Sequence, residues 1–108
     1  MTPKADVKAL VSLLPIEKGG RKNGASDGYR PQHLVADNIL ISGVHTYLNN
    51  GYVLPGTSSL ALIKFIAPEN HPNCLWIGKV INLQEGSRII GYAEIEHIFN
   101  PLLVAGVF

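Results

Sequence analysis

Four histidines, one cysteine and a small group of basic residues are the side chains of this 108-residue chain to consider first for chemistry. His33, His45, His71 and His97 have the side chain of a general base, but the sequence pairs none of them with a nucleophile. Cys74 with a distant histidine passes as a thiol-enzyme pattern only because any chain holding both residues would. His71 and Cys74 stand at a zinc-like spacing, yet structural zinc needs four ligands and no second pair follows. The Gly-x-x-x-x-Gly-Lys-Ser/Thr loop that cradles nucleotide phosphates is absent. Gly19-Gly20 reads as a turn rather than a dinucleotide fingerprint. Glu94 and Glu96 alternate with Ile95 and His97, which puts the carboxylates on the solvent side of a strand. The expectation is a chain that is not an enzyme, with no metal, no cofactor and no nucleotide. What remains is binding. Lys18, Arg21, Lys22 and Arg30 form a basic rim around a glycine-rich loop, diluted by Glu17 and Asp27.

The totals narrow the elements that hold these residues. The length suits one domain with a modest core. Apolar residues make up 46% and charged residues 16%, a globular rather than a disordered composition. Eleven glycines and seven prolines imply many turns and favour an all-β fold. A net charge of +1 gives no general attraction to nucleic acid, so any such binding must rest on a local patch. The single Cys74 excludes an internal disulfide and suits a reducing compartment. There is no apolar run long enough for a membrane-spanning helix, and the first residues lack the pattern of a signal peptide. A cytoplasmic location is expected.

Along the chain, Val7, Ala9, Val11 and Leu13 repeat every second residue, as in a strand, although a helical face can be drawn through Val7, Leu10, Val11 and Leu14. Pro15 ends either element. Residues 17–28 read as a loop. Apolar residues return from Leu34 to Val44, interrupted at Asp37-Asn38 by a turn or bulge. Asn49-Asn50-Gly51 predicts a tight hairpin turn with positive φ at both central residues. Leu54-Pro55-Gly56 turns the chain into a strand over 59–66. Leu75 to Leu83 reads as one strand with Leu75, Ile77, Ile81 and Leu83 on a common side. Glu85-Gly86 reverses it into a return strand over 89–98, where Gly91 marks a bend or close backbone approach. Residues 102–108 form an apolar tail able to cover a barrel end, pair with a partner or second copy, or fray.

Several ordered blocks carry a resemblance: Gly19-Gly20-Arg21, Gly28-Tyr29-Arg30-Pro31-Gln32, Leu54-Pro55-Gly56, a strand ending at Ala67-Pro68, and Gln84 to Gly91. Together they resemble the third, C-terminal domain of bacterial elongation factor Tu, over roughly residues 6–98. The resemblance implies an all-β chain, a closed six-stranded antiparallel Greek-key barrel forming a single domain over residues 1–108. It also implies a surface for the backbone of tRNA. By position, Arg21, Gln32, Glu85 and Gly86 would face the T stem, with Arg30 and Arg88 matching further arginines that are partly structural. An arginine forks onto phosphate, while an amide and turn N–H groups reach phosphate oxygens and ribose hydroxyls.

The departures are specific. Ala67 stands where the family has a basic residue, His33 to Asn38 replaces a polar threonine-rich segment, and the loop between Pro68 and Gln84 is longer. Delivery of aminoacyl-tRNA is not expected of a lone barrel. The resemblance therefore implies a non-catalytic module that binds a macromolecular partner through its rim loops. That partner is a translation component, an RNA-cleaving toxin held by an immunity protein, or tRNA itself, bound weakly.

Overall fold

The computed structural model describes residues 5–106. Its strands are β1 (Val7–Leu13), β2 (Ala25–Ser26), β3 (Gln32–Ala36), β4 (Ile39–Tyr47), β5 (Tyr52–Val53), β6 (Ser58–Phe65), β7 (Val80–Glu85) and β8 (Arg88–Ile98), with single 3-10 turns at Ile16–Lys18, Pro68–Asn70 and Pro101–Leu103. Six strands close into a barrel in the order β1-β6-β4-β3-β7-β8, every neighbour antiparallel. Closure leaves none of these six with an unpaired edge. The expected six-stranded antiparallel barrel is thus present. β2 and β5 lie outside it as a two-stranded ribbon.

The period of two in β1 decides its structure. Val7, Ala9, Val11 and Leu13 all point inward and are buried, while Lys8, Leu10 and Ser12 stay partly exposed. A helix would have scattered those four around its axis. Ala61, Ile63 and Phe65 from β6, Ile81 and Leu83 from β7, and Ile90, Ala93 and Ile95 from β8 join them in the core, with Val35 from β3 and Ile41 and Tyr47 from β4. Gly91 pairs with Leu13, and a Cβ there would stand 2.4 Å from the Ser12 carbonyl oxygen. Only glycine lets β8 approach β1 so closely.

Three sequence readings need correction. Asn50 and Gly51 both have positive φ, 63° and 78°, as the turn requires, but the strands on either side do not pair. β4 pairs with β3 and β6, and the turn hands the chain to β5, which joins β2. Second, Leu75 to Leu83 is not one strand. Leu75 is fully buried, Ile77 is 60% exposed, and a turn through Gly78 (φ 90°) separates them from β7. Lys79 anchors that turn: its Nζ donates to the carbonyls of Val35 and Cys74 and lies 4.4 Å from the centre of the Trp76 ring. Third, the loop expected over residues 17–28 contains the end of one 3-10 turn and the whole of β2.

The tail covers the barrel end. Leu103 is fully buried, and Val104 bridges in parallel to Leu75. Asp6, 5% exposed, holds this end together. Its carboxylate accepts from the Phe65 N–H at 2.7 Å and the Asn100 amide at 3.0 Å, and its carbonyl accepts from the N–H groups of Phe99 and Asn100. The last two residues of the tail, 107 and 108, lie outside the described residues.

Candidate functional site

The loops at the other end of β1, beyond Leu13, carry the candidate residues. Pro15 starts the 3-10 turn, and Gly19 (φ 95°) ends it in a conformation that favours glycine. Gly20 follows in a gap where a Cβ would stand 1.9 Å from the Leu14 carbonyl oxygen. This packing turns Arg21 back over the rim. Its Nε donates to the Gly24 carbonyl at 2.7 Å, and its guanidinium lies 4.3 Å from the centre of the Tyr29 ring. Its Nη1 bonds the Glu85 carboxylate, which also accepts from the Tyr29 hydroxyl at 2.7 Å. Arg88 approaches the other Glu85 oxygen at 3.6 Å.

Residues from three separate stretches thereby form one network. Burial opposes charge on Arg21 and Glu85, but the bonds and charges of the Arg21–Tyr29–Glu85 network together outweigh it. The guanidinium is held above its ordinary value and the Glu85 carboxyl below its own, the latter aided by the Tyr29 hydroxyl. Burial, then the bond to Glu85, pushes the Tyr29 phenol up.

The six sequence candidates thus differ in what they offer. Arg21, Glu85 and Arg88 are brought together and spend part of their hydrogen-bonding capacity on one another. Gly86 adopts φ 63° in the β7–β8 turn, and its carbonyl accepts from the Gln84 amide at 3.0 Å. Gln32 sits across from Gln84 in the β3–β7 ladder, half-buried. Arg30 is exposed, and no hydrogen bond or ion pair holds its side chain among the described residues. Beside Arg21 opens a cleft of about 440 Å³, bordered by Asn23, Ser26, Tyr29 and Tyr52.

A second polar cluster was not foreseen. His33 and His45 are both fully buried inside the barrel wall, with their Nε2 atoms 2.8 Å apart. His33 Nδ1 lies 3.0 Å from the Ile41 carbonyl, and His45 Nδ1 lies 2.8 Å from the Tyr47 hydroxyl. A carbonyl only accepts, so His33 Nδ1–H donates there and its Nε2 must accept. It follows that His45 Nε2–H donates to His33, and Tyr47 O–H donates to His45 Nδ1. A single direction satisfies every atom. Burial holds the His33 imidazole down at about 4 and the His45 imidazole well below its usual range. Phe65 packs edge-on against His33, and Tyr29 against His45. Gly43 makes the space, since a Cβ there would stand 2.9 Å from the His33 ring. The signal in the sequence was His45-x-Tyr47, two polar rings on the inward side of β4; nothing in it indicated that His33 would meet them.

No arrangement among the described residues gathers three or more potential metal ligands, and none of their helices is long and apolar enough to cross a membrane. Cys74 is buried with its thiol donating to the His71 carbonyl at 3.2 Å. Burial raises it, so it is a poor nucleophile. Glu94 and Glu96 face solvent as their alternation implies.

A scan against protein-family models finds no match for this chain.

Proposed function

We propose that this chain is a non-catalytic binding module of the elongation factor Tu third-domain type, with the Greek-key connectivity of that domain, working in the cytoplasm and engaging a macromolecular partner through the rim that carries Arg21. One observation carries the reading. Arg21, Tyr29 and Glu85, separated by up to 64 residues in sequence, are locked into one network at a single end of the barrel. Preorganised side chains on rigid elements are what recognition requires, because little entropy is lost on binding. The histidines that could have served as bases are partly spent elsewhere: His33 and His45 are sealed from any substrate. An immunity protein is one form of this reading, with an RNA-cleaving toxin as the partner.

The test is capture from the native cell by wild type, by Arg21→Lys and by Trp76→Ala at the opposite end. A partner held by wild type and Trp76→Ala but lost by Arg21→Lys supports the reading. Equal capture by all three refutes the rim as the binding surface.

Weak tRNA binding is the second reading. It is favoured by Lys18, Lys22 and Arg30, all exposed near the same loops. Filter binding of bulk tRNA at two salt concentrations tests it. Steep salt dependence, lost on Arg21→Ala, is the expected sign. No binding removes it.

A further inference from the structure

The cleft beside Arg21 has a composition that narrows the partner. This inference rests on the binding-module reading and adds the chemistry of what is bound. The guanidinium is fixed from three sides by the Gly24 carbonyl, the Glu85 carboxylate and the face of Tyr29. Those bonds use Nε and Nη1, and Nη2 takes no part in either. The other polar groups bordering the cleft are Asn23, Ser26 and the hydroxyl of Tyr52, and no carboxylate lines it. It is a place built for an acceptor.

Its surroundings decide between kinds of acceptor. Ile16 is 52% exposed, Tyr52 48% and Leu54 53%, on the loops that frame the same end of the barrel. Pro15, next to Ile16, packs on Gly56, and Gly24 lies against Val53 and Leu54, so these loops form one continuous surface. Around Arg21, Glu17, Asp27 and Glu85 interrupt the cations. Nucleic-acid interfaces are more polar and strongly positive. A half-buried arginine and tyrosine, apolar neighbours and a mixed charged margin are the composition of a protein interface.

We infer that this cleft receives an acidic side chain of a protein partner, its carboxylate meeting Arg21 and Ser26, with apolar side chains of the partner covering Tyr52, Leu54 and Ile16. Glu85 then acts as a brace rather than a contact. It holds the guanidinium from behind, and Tyr29 keeps it flat.

The experiment selects linear peptides from a random display library on the intact chain and titrates the winners by calorimetry. Selected peptides are expected to carry Asp or Glu beside apolar residues. Their affinity is expected to fall about tenfold for Tyr52→Ala, for Arg21→Lys, and for the same peptide with Asn or Gln in place of the acid, the loss typical of a single interface anchor. Trp76→Ala should leave it unchanged. Thermal melts of the variants matching wild type exclude a folding defect. Peptides that lack carboxylates, or that ignore Arg21 and Tyr52, overturn the cleft assignment while leaving a binding module standing. Bulk tRNA bound in a Tyr52- and Arg21-dependent way also overturns it, transferring the cleft to nucleic acid. If neither peptide nor tRNA binds, the binding-module reading falls as well.

Discussion

Acid should weaken this protein well before its carboxylates titrate. In the folded chain His33 stays neutral down to about 4, because it is fully buried and its Nε2 already accepts the His45 N–H. A proton added to His33 Nε2 would set two N–H groups against each other across 2.8 Å, and one added to His45 Nδ1 would displace the Tyr47 O–H that donates there. In the unfolded chain an ordinary histidine takes up its proton near pH 6.5. The folded value is the lower one, so its contribution is intact above 6.5 and is lost as pH falls from 6.5 towards 4. For His33 alone the loss between pH 7.5 and 5 is about 2 kcal/mol, and His45 adds in the same direction. Against a total of about 5–15 kcal/mol for a domain, that is readily measured. Glu85, with its lowered carboxyl, contributes in the same sense only at lower pH. Urea unfolding at four pH values from 7.5 to 5, with ring titration by NMR, reads it directly. A midpoint that does not move, or a His33 ring that protonates near 6.5 in the native state, refutes the reasoning.

Four further outcomes follow from the same contacts. Tyr47→Phe removes the only donor to His45 Nδ1 among the described residues and should cost about 1–3 kcal/mol in urea unfolding, the penalty for an orphaned buried acceptor; a neutral result would mean the hydroxyl is dispensable. Gly43→Ala forces a methyl against His33, Ile63 and Phe65 and should destabilise by about 1–3 kcal/mol, with His33 ring signals shifted. Glu85→Gln should cost only about 1 kcal/mol or less, because the pair is about one-third exposed, and the difference from wild type should shrink in high salt. Asp6→Ala releases the Phe65 N–H and the Asn100 amide, and hydrogen exchange at Phe99, Asn100 and Leu103 should accelerate well before global unfolding. Unchanged protection at those amides would show that the Asp6 carboxylate does not hold the tail.

Elements set by local chemistry were legible in the sequence. The alternation of β1 and the Glu85-Gly86 turn each depend on a few adjacent residues, and the structure agrees with them. Gly91 was legible as a close approach, though what it approaches, Ser12, was not. The misreadings share a cause. Leu75, Ile77, Ile81 and Leu83 have strand spacing, but Lys79 finds carbonyls on Val35 and Cys74 and turns the chain at Gly78, a contact across 44 residues. Asn50-Gly51 specifies its own backbone, not which strands its neighbours choose. At the rim, the residue types were readable. That Arg21 would be occupied by Glu85 was not, because opposite charges 64 positions apart carry no sequence mark. His33 and His45 lie 12 positions apart on paired strands, and only the curl of the barrel brings their rings together.

The Asp6 clamp has a consequence for how this unit is used. By tying Asn100 to Asp6, it brings the start of β1 and the end of β8 to the same pole, away from Arg21. A fluorophore placed near Asp6 or Asn100 would therefore lie at the pole away from the loops that carry Arg21. The chain can be opened at the opposite pole, at Asn50-Gly51, in a circular permutant in which a linker joins the segment before Asp6 to the segment after Asn100.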